Sequence, residues 1–346
     1  MKIFLLLLSI ILNKSLLANE KIYESNFVEI NINTKNIAED KNREIEKVKI
    51  LSLDIILNKI LNKKNINNFK KKINLQNEIN YLIKNIIIEN EFISNNKYSA
   101  KVKINFDKVE IIELFRKNKI NYSDLESSDL MFVAYENNSL SKEGLSKNNT
   151  FYKKVNIKNY GLLNFIYPDL SLNDRFILPY NEIENISLSN FNEISNKYKT
   201  NYLIIVKIKT DKIKKDFTIH LYSLAKDEII YTSNFKINNN INYQNQLLSI
   251  INDWWKNLNI IDLRIINKQS CFIKNSNIHE LYFIISKIKS ISQIKSFNLL
   301  KIDLGMNLYD IIYYGDKLNF SSKLTNKNIA NHINSKKQCI LSLKNK

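Results

Sequence analysis

A chain of 346 residues, 44% hydrophobic and 25% charged, is long enough for two or three globular cores and too apolar for a disordered protein. Its net charge of +18 rests on lysine, with arginine only at Arg43, Arg116, Arg175 and Arg264, and specific phosphate readers favour the bidentate guanidinium fork. With only 4 Gly in the chain there is no Gly-rich phosphate loop or dinucleotide fingerprint, and neither H-E-x-x-H nor G-x-S-x-G occurs.

The first element reads as a targeting segment. Lys2 supplies a positive start, residues 3–12 (IFLLLLSIIL) an apolar stretch, and Leu16-Leu17-Ala18 ends on a small residue. A membrane span needs about 20 apolar residues, so residues 1–18 are expected to be a cleavable signal peptide and the protein periplasmic. No cysteine stands near the expected cleavage site, which argues against a lipid anchor.

Residues 19–122 read as a first domain of order β-α-α-β-β-α. A strand precedes a long helical pattern over 36–62 whose stripe is Ile45, Val48, Ser52, Ile55, Ile56 and Ile60. Strands over 83–93 and 97–106 turn at Asn95-Asn96, since Asn tolerates the left-handed conformation. Tyr98, Ala100, Val102, Ile104 and Phe106 occupy alternate positions, one face of a strand. Asp107 then caps a helix.

Residues 123–129 are polar and acidic and read as a linker. Residues 129–262 form an expected middle α/β domain. Its heart is a three-strand meander: an apolar run over 203–209, an alternating strand over 217–223 and a third over 229–237, flanked by helices over 190–199 and 244–258. Of the adjacent Trp254 and Trp255, about 100° apart on a helix, one is expected in the core and one half exposed.

Residues 263–346 read as a third domain of order β-α-β-β-α-β, the ferredoxin-like arrangement, with a hairpin turning at Gly305 and a last strand over 332–343. In that sheet the first and last strands are expected to be antiparallel neighbours. Cys271 and Cys339, the only cysteines, would then face one another, and an exported protein meets an oxidising compartment, so they are candidates for a disulfide, the alternative being two free cysteines buried as small hydrophobes.

The fold class is therefore α/β (α+β), three small mixed domains after a signal peptide. The helix opening Asn-Ile-Ala-Glu-Asp at 36–40 and Val-Lys-Ile-Asn-Phe-Asp at 102–107 resemble the bacterial envelope family called domain of unknown function 2066. So do Pro168-Asp169…Asp174 before Lys-Tyr-Lys-Thr-Asn-Tyr at 197–202, and Tyr314-Gly315-Asp316 ahead of the last helix. The middle domain is similar to the amino-terminal domain of the TolB translocation protein. The resemblance implies a periplasmic accessory or adaptor role and transfers no functional residue.

The residues themselves assign no catalytic, cofactor-binding or metal position. His220, His279 and His332 fall in three different elements, and His220 is expected on the outer face of its strand. Asp169, Asp174 and Arg175 form a polar cluster around a turn, where aspartate ordinarily caps and solubilises. The expected role is a non-catalytic envelope adaptor that binds protein partners, without a cofactor, without specific nucleic acid, and with at most weak contact to an anionic envelope surface. Its rivals are a hydrolase-like enzyme with its site near residues 168–175 and a polyanion-binding module. A carboxylate and histidine converging in one pocket would favour the enzyme.

Overall fold

The computed structural model describes residues 21–73, 78–138, 142–147, 149, 151–152, 157–181, 188–210, 214–238, 243–303 and 305–344. The expected signal peptide lies outside them. The fold is mixed α/β with three sheets. Its contacts define two compact units, one from Met1–Leu125 with Lys256–Lys346 and the other from Glu126–Trp255.

The first unit opens with β1 (Val28–Asn33), α1 (Ile37–Ile60), α2 (Lys63–Lys72), β2 (Ile83–Ser94), β3 (Lys97–Phe106) and α3 (Lys108–Asn118). The alternation in β3 is realised in full: Tyr98, Ala100, Val102, Ile104 and Phe106 are all buried. β3 is the middle strand of the order β1-β3-β2, antiparallel to both neighbours. Glu39 and Asp40 stand in the first turn of α1 and Lys59 in its last, the charge order that a helix dipole favours. The helix buries Val48, Ser52, Leu53, Ile56, Leu57 and Ile60 and packs on β3. The Asp107 carboxylate accepts from the backbone N–H of Val109 and Glu110 and so starts α3.

The acidic stretch read as a linker is instead partly core: Ser123, Asp124 and Leu125 are buried in this unit. Polarity misled there, because the Asp124 carboxylate is satisfied by Tyr23, Ser292 and Lys323, all far away in sequence.

The second unit holds β4 (Asp129–Asn138), β5 (Lys142–Glu143), β6 (Asn159–Tyr160), β7 (Leu163–Ile166), α4 (Leu172–Ile177), α5 (Leu188–Tyr198), β8 (Tyr202–Thr210), β9 (Lys214–Ser223) and β10 (Glu228–Asn238). Most of α6 (Tyr243–Leu258) belongs to it as well. The sheet runs β10-β9-β8-β4-β7-β6, with β5 paired to β4. The expected meander is β8-β9-β10, and β4 joins it by parallel pairing to β8. Leu203, Ile204, Ile205 and Val206 are completely buried, as a strand covered on both faces requires. Two expectations fail here. Trp254 and Trp255 are both buried, because Tyr202 packs against both rings and Tyr231 covers Trp254. His220 is buried rather than outward. Tyr222, two residues on and on the same face of β9, packs against Phe191 of α5, so that face is covered too.

The chain returns to the first unit with β11 (Ile266–Lys274), α7 (Ile278–Lys289), β12 (Ile294–Lys301), β13 (Met306–Tyr314), α8 (Lys317–Asn326), β14 (Ile329–Ile333) and β15 (Cys339–Leu343). The expected single strand over 332–343 is a hairpin. Asn334 makes the turn, its side-chain oxygen accepting from the backbone N–H of Lys336 and Gln338. β15 folds back between β14 and β11, giving the order β12-β13-β11-β15-β14. The β-α-β-β-α-β arrangement thus carries one added strand. The added strand also reverses the expected pairing, since β15 runs parallel to β11, with Cys271 directly opposite Cys339. The two cysteines form a disulfide, their Cα atoms 4.6 Å apart, and lie in the core beside Ile273 and Leu341.

Candidate functional site

The polar cluster flagged by the sequence does not assemble. Asp174 is fully buried, while Asp169 and Arg175 are exposed. Ser171 and Asp174 form a reciprocal capping box at the start of α4: each side chain accepts from the other's backbone N–H, both at 3.2 Å. Lys197 Nζ lies 2.6 Å from one Asp174 oxygen, and Tyr198 Oη donates to the carboxylate at 2.9 Å. Burial alone would raise the Asp174 pKa. The bonds from Lys197 and Tyr198 outweigh it and hold the carboxyl below its ordinary range. Tyr198 Oη also accepts from the backbone N–H of Asp169, and Arg175 Nε donates to the carbonyl of Leu145. Every one of these bonds ties α4 and its preceding turn to neighbouring chain.

His279 and His332 are exposed on separate elements. His220 Nδ1 is 3.0 Å from Thr232 Oγ1 on the adjacent strand, and burial, then Lys207, lowers its pKa. An open groove of about 540 Å³ in the second unit is lined by Asp129, Lys158, Asn159, Asn164, Phe165, Ile166 and Tyr167, with one carboxylate and no histidine. Among the described residues no group of three or more His, Cys, Asp or Glu side chains could hold a metal ion, and no helix is long and apolar enough to cross a membrane.

The feature the residues do build is an apolar edge in the first unit. β2 has 12 residues and is the outer strand of its sheet. In the antiparallel register Ile86 lies opposite Ile104, Ile88 opposite Val102 and Ile93 opposite Tyr98, so each pair shares a face. On β3 these partners are completely buried beneath α1, yet Ile86 and Ile88 are each 37% exposed and Ile93 is 56% exposed. The covering helix ends its reach over the middle strand and leaves an apolar shelf along β2. Phe92, on the other face, is also exposed. Lys41 of α1 reaches down to Glu91 of β2 at 2.6 Å, and Tyr98 Oη donates to the same carboxylate. Those bonds pin the strand beneath the helix without covering the shelf. A second edge, β12, exposes Leu299 and Leu300 over a shorter run of 8 residues.

An edge of this kind presents unpaired backbone N–H and C=O groups beside uncovered side chains, which is a template for another strand. The sequence located β2 as a strand but could not show its exposure. Three consecutive isoleucines, Ile86–Ile88, read like a buried run, and only the position of α1 decides otherwise.

No protein-family model matches the chain, and no curated protein matches it. Among solved structures, the C-terminal domain of LpoB from Salmonella enterica aligns with 33% of this chain and 84% of its own, at 11% identity and a TM-score of 0.23. Lipoprotein GNA1162 from Neisseria meningitidis aligns with 38% of this chain and 98% of its own, at 8% identity and a TM-score of 0.27. The LpoB C-terminal domain from Escherichia coli aligns with 32% of this chain and 82% of its own, at 13% identity and a TM-score of 0.22. Similarity at this level establishes neither a family nor an activity.

Proposed function

We propose that the protein is an exported, non-catalytic accessory protein of the cell envelope that takes an extended, apolar segment of a protein partner onto β2. The observation that carries the reading is the exposed shelf of Ile86, Ile88 and Ile93 beside a strand edge that pairs with no further strand among the described residues. Covering the exposed part of each isoleucine contributes roughly 1 kcal/mol, and main-chain pairing supplies register and direction. Two further observations support an envelope location. Residues 3–12 have the length of a signal segment, and a Cys271–Cys339 disulfide persists in oxidising compartments. The resemblance to domain of unknown function 2066 and to the TolB amino-terminal domain belongs to this proposal. An enzyme near residues 168–175 has less support, because Asp174 is buried in a capping box and an ion pair, while Asp169 and Arg175 are exposed.

A photo-crosslinking amino acid placed at Ile88, against a control at Lys47 on the outer side of α1, tests the proposal in cells. The expected result is one adduct larger than the chain, specific to position 88 and lost in I86K/I93K, with an unchanged unfolding midpoint for that variant. Equal adducts at both positions would remove the edge as the site. An adduct of twice the chain's mass would put a second copy in place of a partner.

A further inference from the structure

The second edge strand, β12, has a helix lying along it. α7 packs on β12, and residues 290–293 reverse the chain between the two. Phe297 and Leu299 lie opposite Ile311 and Tyr309 of β13. Both of those partners are buried with Leu281, Ile284 and Ile288 of α7, so Phe297 and Leu299 stand on the face that the helix covers. On α7, Ile278, Tyr282, Ile285 and Lys289 recur at helical spacing and form one stripe. The stripe follows the strand. Lys289 Nζ stands 5.9 Å from the centre of the Phe297 ring, and that ring stacks on Tyr309 with centres 4.6 Å apart. Because the chain reverses, the start of α7 runs beside the end of β12. There Ile278, Tyr282, Leu299 and Leu300 are all exposed. No strand among the described residues pairs with the outer side of β12. Strand edge and helix thus bound an apolar seam.

Cations stand at both ends of this seam. Arg116 closes the start of the edge by donating to the carbonyls of Ser292 and Ile294, at 2.8 and 2.7 Å. Just beyond, Lys295 lies 5.7 Å from the centre of the Tyr314 ring, and Lys301 ends the strand. β12 itself holds no acidic residue. Asp303 is 3.3 Å from Lys301, but both side chains are well exposed, and such a pair is weak and easily exchanged.

We propose that the seam between β12 and α7 is a docking surface that takes, by strand addition, an extended segment of a partner protein, apolar in its middle and carrying carboxylates toward both ends. Main-chain groups over 296–300 supply the pairing, and alternate side chains of the guest turn toward the helix stripe. Leu299, Tyr282 and Ile278 cover the apolar middle. Lys289 and Lys295 at one end and Lys301 at the other receive the carboxylates. Charge decides between occupants. A second copy of β12 laid against the first would bring lysines together, and lysine on an edge strand discourages just that pairing. The surface is separate from the β2 shelf, where Lys84 is mixed with Glu89 and Glu91, and it stands whether or not β2 binds a partner.

The probe is a labelled synthetic peptide of alternating valine and threonine with a glutamate near each end. Its binding to the purified full-length protein is followed by fluorescence anisotropy, and its counterpart with lysine in place of glutamate is expected not to bind. K295E/K301E turns two cross-strand charge pairs from attractive to repulsive, so it is expected to weaken the acidic peptide about tenfold and to admit the lysine peptide. K64E/K71E makes the same change of net charge at two exposed lysines of α2, and I86K/I93K alters β2. Both are expected to bind as the wild type does. N-methylation of the peptide backbone at alternate residues is expected to abolish binding in one of its two phases and spare it in the other, since a strand pairs along one edge with every second N–H. The peptide arms leave the protein unaltered, so they decide even where a variant folds poorly. No binding of the acidic peptide, an equal loss in K64E/K71E, a loss in I86K/I93K alone, or indifference to both N-methylated forms overturns the surface.

Discussion

Asp124 and Asp174 are both buried carboxylates held by a lysine and by hydroxyl groups, but they do different work. Asp174 is tied to Ser171, Lys197 and Tyr198, all within 24 residues, and its Lys197 side chain is 27% exposed. Asp124 is tied across the chain: to Lys323, 199 residues away; to Ser292 at 2.9 Å, 168 residues away; and to Tyr23, 101 residues away. The Lys323 side chain is only 7% exposed. Burial would raise the Asp124 pKa, but Lys323 and then Lys108 bring it down to about 2. Burial first, and Asp124 second, keep the Tyr23 hydroxyl protonated far above its ordinary range. One carboxylate thus fastens a local turn. The other fastens two distant segments of one unit, and both members of its ion pair are buried.

The largest expected effect follows from that difference. Asp124→Asn leaves Lys323 charged and buried without its partner, and is expected to cost about 3–5 kcal/mol, with most of it recovered in the double variant D124N/K323M. Denaturant unfolding midpoints check this, and a loss below 1 kcal/mol would put Asp124 on a par with a surface pair. Next is the covalent tie of the same unit. The disulfide closes 68 residues, so C271S/C339S is expected to lose about 4 kcal/mol in the chain-entropy picture. Both tryptophans, Trp254 and Trp255, belong to the second unit. The circular-dichroism transition should therefore move while the tryptophan-fluorescence transition stays, and a joint shift would contradict two separate units.

Acid sharpens the contrast on a smaller scale. A carboxylate whose folded pKa is depressed contributes stability above its unfolded value near 3.9 and loses it as pH falls through the folded value. For Asp124 the window is therefore about pH 4 to about pH 2, with roughly 2 kcal/mol at stake. Stability curves of wild type and D124N should converge across that window. Asp174→Ala is expected to cost about 2 kcal/mol, from a lost cap and charged hydrogen bonds. The cost is smaller because Lys197 can turn to solvent. A loss equal to that of D124N would erase the distinction.

What the sequence made legible follows the same division between near and far. Asp174 drew notice as one of three polar residues, with Asp169 and Arg175, around a single turn, a local signal. The alternation in β3 was readable since a strand's pleat is written every second residue. Asp124 was read as part of a linker, because nothing nearby reveals partners 101 to 199 residues away. The β14–β15 hairpin was missed for another reason: Asn334 and Lys337, which form its turn, sit inside a run that also fits a strand. Even so, Cys271 and Cys339 meet, through parallel rather than antiparallel pairing. The shelf on β2 could not be read at all, since exposure there depends on where α1 stops covering the sheet.

The spacing of Asp124 and Lys323 also sets an order of events in time. A chain made from its N-terminus presents Asp124 long before Lys323 exists, and every residue of the second unit emerges in between. At synthesis rates of about 5–20 residues per second, the 199 residues between them take on the order of 10–40 s. For that interval the continuous unit is free to finish while the interrupted one waits with an open core and an unanswered carboxylate. A nascent chain cut short before α8 should therefore carry a complete second unit and an N-terminal segment that chaperones and proteases recognise as unfinished.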